Sequence, residues 1–339
     1  MDWLESGTMA NIFINRICNL RCKYCFANDL ATMSNVQDMT LENFKKAVMF
    51  ISKESEQIGI MGGEPLLHPQ FDEMLEYLRE SPQVNNVIIF TNGILLDKYL
   101  SRLRMPKFKI LINCNSQESI GEANYLSLKE NIRKSVIDYK MKNQVCLGLN
   151  IFNPNMKFTY VIDLLREFNF RYLRLSITVP NFKLDDNYDA LNYFYAMKPI
   201  TINIIKQALA IGVTPLFDCN KPPICWLTQE ERSEILSLMG KQISNVVLLE
   251  STCYPVVDIL SDLSAVRCMG FSTGPIVKID KFSSLEHLRN YFFAQIDIPL
   301  SEKVIADKCV KCSSHMKKTC NPGCLVYKDA LNKGRHRCK

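Results

Sequence analysis

From about residue 10 to residue 217, strand-like and helix-like stretches take turns, and this alternation limits the possible folds more than any other feature of the chain. Short apolar runs at 11–18, 57–61, 84–90, 108–114, 145–152, 172–179 and 213–217 read as strands. Between them, 40–54, 71–78, 126–139, 159–168 and 200–211 carry apolar residues at helical spacing; Thr40 opens the first, ahead of Leu41, Phe44, Val48 and Ile51. Strands alternating with helices of roughly 10–15 residues make βα units on a parallel sheet. Six or more such units predict an α/β fold, a full or partial (β/α)6 TIM-like barrel. In that architecture chemistry is placed at the C-terminal ends of the strands. Cys18, Glu64, Asn92, Asn113, Asn115, Asn150 and Cys219 all fall at or just beyond those ends.

The 339 residues, 47% hydrophobic and 22% charged, have room for one large α/β domain and a smaller one, and exclude a disordered or collagen-like chain. No run approaches the roughly 20 apolar residues of a membrane span. The first ten residues hold two acids and no basic stretch before an apolar run, so a signal peptide is not expected and a cytoplasmic location is. In that reducing compartment a disulfide framework is disfavoured, so 14 cysteines point to metal or cluster ligands. Three lie at Cys18, Cys22 and Cys25; Cys114, Cys146, Cys219 and Cys225 are scattered, the first two on apolar strands as core residues. Seven follow residue 250: Cys253, Cys268, Cys309, Cys312, Cys320, Cys324 and Cys338. This distribution divides the chain into a barrel at 1–215, a bridging segment at 216–250 and a small cysteine-rich domain at 251–339.

Cys18-Asn19-Leu20-Arg21-Cys22-Lys23-Tyr24-Cys25 supplies three thiols on the loop after the first strand. A structural zinc site wants four ligands, and this triplet is one short. A 4Fe–4S cluster held by three cysteines leaves one iron open. At the end of the second strand stands Met61-Gly62-Gly63-Glu64-Pro65-Leu66-Leu67. Two glycines let backbone approach a ligand closely, and an acid directly after them can meet an ammonium group. Alone, that triplet is also what a tight turn looks like.

Together with Phe90-Thr91-Asn92-Gly93, these motifs resemble the radical S-adenosylmethionine (radical SAM) superfamily over about residues 10–215. The resemblance implies that Cys18, Cys22 and Cys25 hold a 4Fe–4S cluster whose open iron chelates S-adenosylmethionine. It implies that Gly62, Gly63 and Glu64 meet the amino group of S-adenosylmethionine and that Tyr24 lies near its adenine. Asn113, Asn115, Ser116 and Asn150 are candidate ribose contacts; Arg174 and Ser176 are candidates for the carboxylate or adenine. The implied activity is reductive cleavage of S-adenosylmethionine to a 5′-deoxyadenosyl radical, which abstracts hydrogen from a substrate. An electron donor such as flavodoxin or ferredoxin follows from that chemistry.

The late cysteines resemble the SPASM extension, which binds auxiliary 4Fe–4S clusters in peptide- and protein-modifying members of the superfamily. By that resemblance Cys253, Cys268 and Cys324 serve a first auxiliary cluster, and Cys309, Cys312, Cys320 and Cys338 a second, making three clusters in all. The first set is one ligand short, which leaves an open iron or a place for Cys219 or Cys225. Departures are the seven-residue gap between Cys312 and Cys320, and Leu263 where a glycine is common before Cys268. Met269 and Gly270 follow Cys268 where the sulfatase-maturing branch has an aspartate base.

The resemblance implies a ribosomal peptide or protein substrate and an outcome among cross-linking, epimerisation and side-chain oxidation. Only 17 residues precede Cys18, so a separate leader-peptide-binding partner, or direct recognition of the substrate, is expected in place of a fused leader-binding domain. Cys219 and Cys225 flank a Pro-Pro turn after the last strand; a thiol there can donate hydrogen to a substrate radical, ligate a cluster or be a buried core residue. His68 beside Pro69 reads as a solvated loop histidine. Two other readings stand. One is a small-molecule enzyme resembling the radical cyclase that begins molybdopterin synthesis, a family with three C-terminal cysteines in place of seven. The other is a zinc-dependent nucleic-acid-binding protein, since CxxC pairs among Lys and Arg also mark such proteins. The formal net charge of +6 argues little for nucleic acid, because three thiolate-ligated clusters would offset about four or five of those charges.

Overall fold

The computed structural model describes residues 9–25, 37–179, 189–220, 222–239, 253, 256–271, 274–317, 319–320 and 324–335. Its strands are β1 (Ala10–Phe13), β2 (Gln57–Met61), β3 (Asn86–Thr91), β4 (Phe108–Asn113), β5 (Val145–Ile151), β6 (Tyr172–Ile177), β7 (Thr214–Cys219), β8 (Val257–Ile259), β9 (Ser264–Val266) and β10 (Val277–Lys278). The longer helices are α1 (Leu41–Ser52), α2 (Phe71–Glu80), α3 (Glu122–Arg133), α4 (Thr159–Glu167), α5 (Ala190–Ala210), α6 (Gln229–Met239), α7 (Leu285–Phe292) and α8 (Leu325–Arg335). Two compact units result: Met1–Cys146 with Tyr254–Ile296, and Leu147–Cys253 with Asp297–Lys339.

In the first unit β1, β2, β3 and β4 pair in parallel in chain order. β1 is buried along its whole length, and Ile58, Gly59 and Ile60 of β2 are buried as well, as expected of parallel strands covered on both faces. Between them α1 is capped by the Thr40 hydroxyl, which accepts from Asn43 N at 3.2 Å, and buries Phe44, Ala47, Val48 and Ile51. α2 buries Phe71, Met74, Leu75 and Leu78 at helical spacing. On the other side of β1, β8 pairs in parallel with it, followed by β9 and β10 as antiparallel neighbours. The segment 251–339 expected to be a separate cysteine-rich domain thus contributes Tyr254–Ile296 to this unit. Packing and cysteine content divide the chain differently.

The second unit has β5, β6 and β7 parallel in chain order, with a bulge where Phe217 pairs with Leu175 and Cys219 with Ser176. Helix α5 starts ten residues before the predicted 200–211, because Pro199 reads as a stop yet lies inside the helix. Asp189 caps it, its carboxylate accepting from Leu191 N and Asn192 N. The result is the expected α/β class with mostly parallel pairing. Among the described residues no helix is long and apolar enough to cross a membrane.

A buried polar pair joins β1 to β8. Asn11 Nδ2 donates to Asp258 Oδ1 at 2.7 Å, and Met269 N donates to Asp258 Oδ2 at 2.6 Å. Burial pushes the Asp258 carboxyl up to about 6, against the pull of Asn11 and Met269 N. Between its ordinary value near 4 and about 6, the folded chain holds a proton the unfolded chain has released. Stability from this group therefore falls as pH rises through that window. Relative to an Asp258→Asn variant, the urea-unfolding free energy of the native chain should drop by up to about 3 kcal/mol from pH 4 to pH 6; a pH-independent difference would refute it.

The β8–β9 turn explains one departure noted above. Leu263 adopts φ +63°, a left-handed conformation that costs a non-glycine residue roughly 1–2 kcal/mol. Leu263→Gly should therefore raise thermal stability, by up to about 1 kcal/mol after its lost side-chain contacts. A lower melting temperature would count against the strain.

Candidate active site

Beyond Phe13 the backbone leaves β1 but stays tied to the end of β2. Ile14 N donates to Met61 O (2.8 Å), Gly63 N to Asn15 O (2.9 Å) and Glu64 N to Ile17 O (2.8 Å). This approach requires both glycines. A Cβ on Gly62 would lie 2.0 Å from Asn15 Oδ1, and one on Gly63 would lie 2.4 Å and 2.5 Å from the carbonyl oxygens of Arg16 and Ile17. The close approach predicted for the glycine pair is thus an approach to the cysteine loop itself.

That loop is then pinned at two points. Asn92 Nδ2, just past β3, donates to Asn19 Oδ1 at 2.7 Å, and Tyr24 OH donates to Asn115 Oδ1 at 2.6 Å, just past β4. Asn115 Nδ2 in turn donates to Asn113 O at 3.2 Å. Cys25 N closes a turn on Cys22 O at 3.1 Å, and Cys18 Sγ accepts from Leu20 N at 3.4 Å. Cys25 also packs against Phe13, Val266 and Met269. Met269, at the position of the aspartate base in the sulfatase-maturing branch, is therefore a core residue.

Cys18, Cys22 and Cys25 are all half-buried thiols. Burial raises the Cys18 thiol, and burial followed by the charge of Cys25 pushes Cys22 up to about 11. Thiols kept protonated by burial and by one another become good ligands once a cationic iron core removes their protons. Among the described residues no three His, Cys, Asp or Glu side chains converge closely enough to hold a single metal ion. A polynuclear cluster reaches thiols spread more widely, so this donor set fits a 4Fe–4S cluster with three cysteine ligands.

Glu64 faces inward. It is 1% exposed; its Oε1 accepts from Thr91 Oγ1 (2.7 Å) and Leu66 N (3.2 Å), and its Oε2 from Asn92 N (2.8 Å). Burial pushes its carboxyl up to about 7, while those three donors pull it down. The acid thus joins the end of β2 to the turn after β3. Ser116 lies near the surface with its hydroxyl 3.1 Å from that of Ser119. His68 departs from the expected solvated position: it is 3% exposed, its Nε2 donates to Met39 O at 2.9 Å and its Nδ1 accepts from Gln70 N at 3.0 Å. Two backbone partners in reach made the interior favourable for a neutral ring, which the Pro69 neighbour did not reveal.

In the second unit Arg174 Nη1 donates to Asn150 Oδ1 at 2.6 Å, and Ser176 is buried at the register position opposite Asn150. Cys219 is the last residue of β7. Cys225 is exposed on the single turn Ile224–Trp226. Cys309, Cys320 and Cys324 are buried, Cys253 and Cys312 half-buried. Cys338 lies outside the described residues. Cys268, grouped with Cys253 and Cys324 by resemblance, belongs to the first unit, where Arg267 Nη1 donates to its sulfur at 3.8 Å. Lys328 on α8 is 1% exposed, and its Nζ donates to Ser301 O at 3.3 Å. Sequence reasoning missed Asn19, Thr91 and Lys328; only Thr91 carried a signal, in its Thr-Asn-Gly turn after a strand.

Residues 12–116 match the model of the radical SAM superfamily. This stretch of the chain is a radical SAM domain. Over 92 residues the chain is 37% identical to the GTP 3′,8-cyclase of Chlorobaculum tepidum, covering 27% of this chain and 28% of that protein. Over 106 residues it is 31% identical to molybdenum cofactor biosynthesis protein 1 of Dictyostelium discoideum, covering 31% of this chain and 17% of that one. The chain thus spans under a third of the length of either relative. The solved structure of Streptococcus suis SuiB bound to S-adenosylmethionine aligns over 94% of this chain and 73% of that one, with a TM-score of 0.61 and 14% identity. SuiB bound to its precursor peptide SuiA aligns equally widely, with a TM-score of 0.60. At that identity the likeness is one of fold, the TIM-like α/β fold of radical SAM proteins.

Because a Cβ at position 63 meets backbone on the cysteine loop, Gly63→Ala must move that loop. The variant should lose at least about 2 kcal/mol of stability and most of the iron bound through Cys18, Cys22 and Cys25. Native melting temperature and iron content would refute the contact.

Proposed function

We propose that the chain is a radical SAM enzyme that acts on a peptide or protein. The observation that carries this reading is a second set of thiols, Cys309, Cys312 and Cys320, gathered in the unit that does not contain the radical SAM cysteines. The fold likeness to SuiB, which has been solved with a precursor peptide, supports it. When bound, a reduced 4Fe–4S cluster with S-adenosylmethionine supplies a carbon radical that takes hydrogen from the substrate.

The chain's own residues hold and orient. Cys18, Cys22 and Cys25 are the cluster ligands, on a loop fixed by Asn19–Asn92 and Tyr24–Asn115. The strip Gly62–Glu64 is assigned to the amino group of S-adenosylmethionine, with the Glu64 side chain positioning it from beneath. Tyr24, Asn113, Asn115, Ser116, Asn150, Arg174 and Ser176 are assigned to its adenosine and carboxylate. Cys219 and Cys225 are the candidate hydrogen donors. Cys253, Cys268, Cys309, Cys312, Cys320, Cys324 and Cys338 are assigned to two SPASM-type auxiliary clusters. A flavodoxin or ferredoxin would supply electrons.

A second reading, a small-molecule cyclase acting on GTP, is favoured by the 37% identity over 92 residues to a GTP 3′,8-cyclase. The experiment that separates them is anaerobic iron and sulfide analysis followed by turnover. About eleven to twelve irons per chain are expected for three clusters, and 5′-deoxyadenosine release on reduction, abolished in Cys18→Ala. Fewer than about five irons, or zinc instead, would sink the auxiliary clusters. Conversion of GTP would overturn the peptide reading.

A further inference from the structure

Cys225 stands apart from the late cysteines in sequence but not in the second unit. The residues on either side of it are held: buried Trp226 donates from Nε1 to Phe194 O at 2.8 Å, and Arg232 Nη2 donates to Ile224 O at 3.1 Å. Tyr195 on α5 donates its hydroxyl proton toward Cys225, with the oxygen 3.3 Å from Cys225 O and 3.8 Å from its sulfur. The same Tyr195 oxygen accepts from Lys308 Nζ at 3.1 Å, and the ammonium lies 4.5 Å from the centre of the Tyr195 ring. Lys308 is the residue next to Cys309. One tyrosine therefore ties the Cys225 turn to the start of the Cys309–Cys312 turn, which Cys312 N closes on Cys309 O at 3.2 Å. Cys320 is folded back on the same stretch, its N donating to Ser314 O at 3.1 Å.

We infer that Cys225 is a ligand of the auxiliary cluster held by Cys309, Cys312 and Cys320, completing a four-thiolate site. This rests on the reading that those three cysteines bind an iron–sulfur cluster. It moves Cys225 away from the first auxiliary set, with Cys253, Cys268 and Cys324, and away from hydrogen donation, and it gives Cys225 the place in the second set that the resemblance gave to Cys338. Each of the four thiols gives up its proton to solvent and bonds one iron, with no change of oxidation state. Lys308, next to Cys309, would then offset thiolate charge, and the Tyr195 phenol would position the Cys225 sulfur.

The test uses the full-length chain reconstituted anaerobically with iron and sulfide, comparing wild type with Cys225→Ala, Cys309→Ala and Cys338→Ala by iron content and by paramagnetic resonance of the reduced protein. Cys225→Ala and Cys309→Ala should each lose the same cluster signal and up to about four irons per chain, with the Cys18–Cys25 cluster retained. Cys338→Ala should retain that signal. Tyr195→Phe, which keeps the thiol, should keep the iron count and shift the signal of that cluster alone. If Cys309→Ala loses the cluster and Cys225→Ala does not, the ligand assignment is wrong while the auxiliary cluster stands. If neither variant loses iron, no cluster binds there and the underlying reading fails with it. Circular dichroism matching wild type identifies iron loss that is not unfolding.

Discussion

Everything at the mouth of the first unit depends on one close approach of backbone to backbone. Asn15, Arg16 and Ile17 run against Gly62 and Gly63 within the width of a single missing Cβ. The hydrogen bonds there continue the β1–β2 pairing after both strands have ended, so Cys18 leaves a rigid stem even though the loop itself has no regular structure. Side-chain pinning then suffices for the rest of the loop: one amide pair to the end of β3 and one phenol to the end of β4. A glycine pair with this role is intolerant of alanine for a reason unrelated to backbone dihedrals, since neither residue has positive φ.

Glu64 extends the same logic to β3. A buried carboxyl is costly, and burial pushes this one up to about 7. Donors from Thr91, Asn92 and Leu66 offset the cost and occupy most of its acceptor capacity. The acid therefore works as a brace that ties the end of β2 to the end of β3. Its place directly after two glycines follows from the geometry: the glycines bring the chain close, and the next side chain is the first able to reach across.

The elements that were legible in the sequence are those whose signal is local. Gln57–Met61 is a short apolar run ending at two glycines, and it is a strand within the limits read from the sequence. The CxxxCxxC loop after β1 carries its own chemistry in its spacing. Non-local pairings were not legible. Val257–Ile259 is three residues long, too short for any period, and it becomes a strand only because β1 offers an edge nearly 250 residues away. Asn11 and Asp258 read separately as polar residues on apolar stretches; only their contact makes either tolerable in the interior. His68 and the first half of α5 fail in the same way, since burial by tertiary partners outweighed a proline signal.

The charge of the chain also separates into two kinds. Most lysines and arginines among the described residues reach solvent, but Lys328 is buried, with the thiols of Cys320, Cys309 and Cys253 acting on it. Burial lowers its ammonium to about 8, while charge at Cys320, Cys309 and Cys253 works to hold it protonated. A buried lysine is tolerated when anions face it, and thiols are anions only as ligands or at high pH. Ligation of iron by those cysteines would therefore stabilise the ammonium, and the ammonium would stabilise the ligated thiolates by the same amount. Burial of Lys328 places part of the +6 formal charge inside the second unit, where it would complement ligated thiolates, and leaves correspondingly less of it to attract nucleic acid.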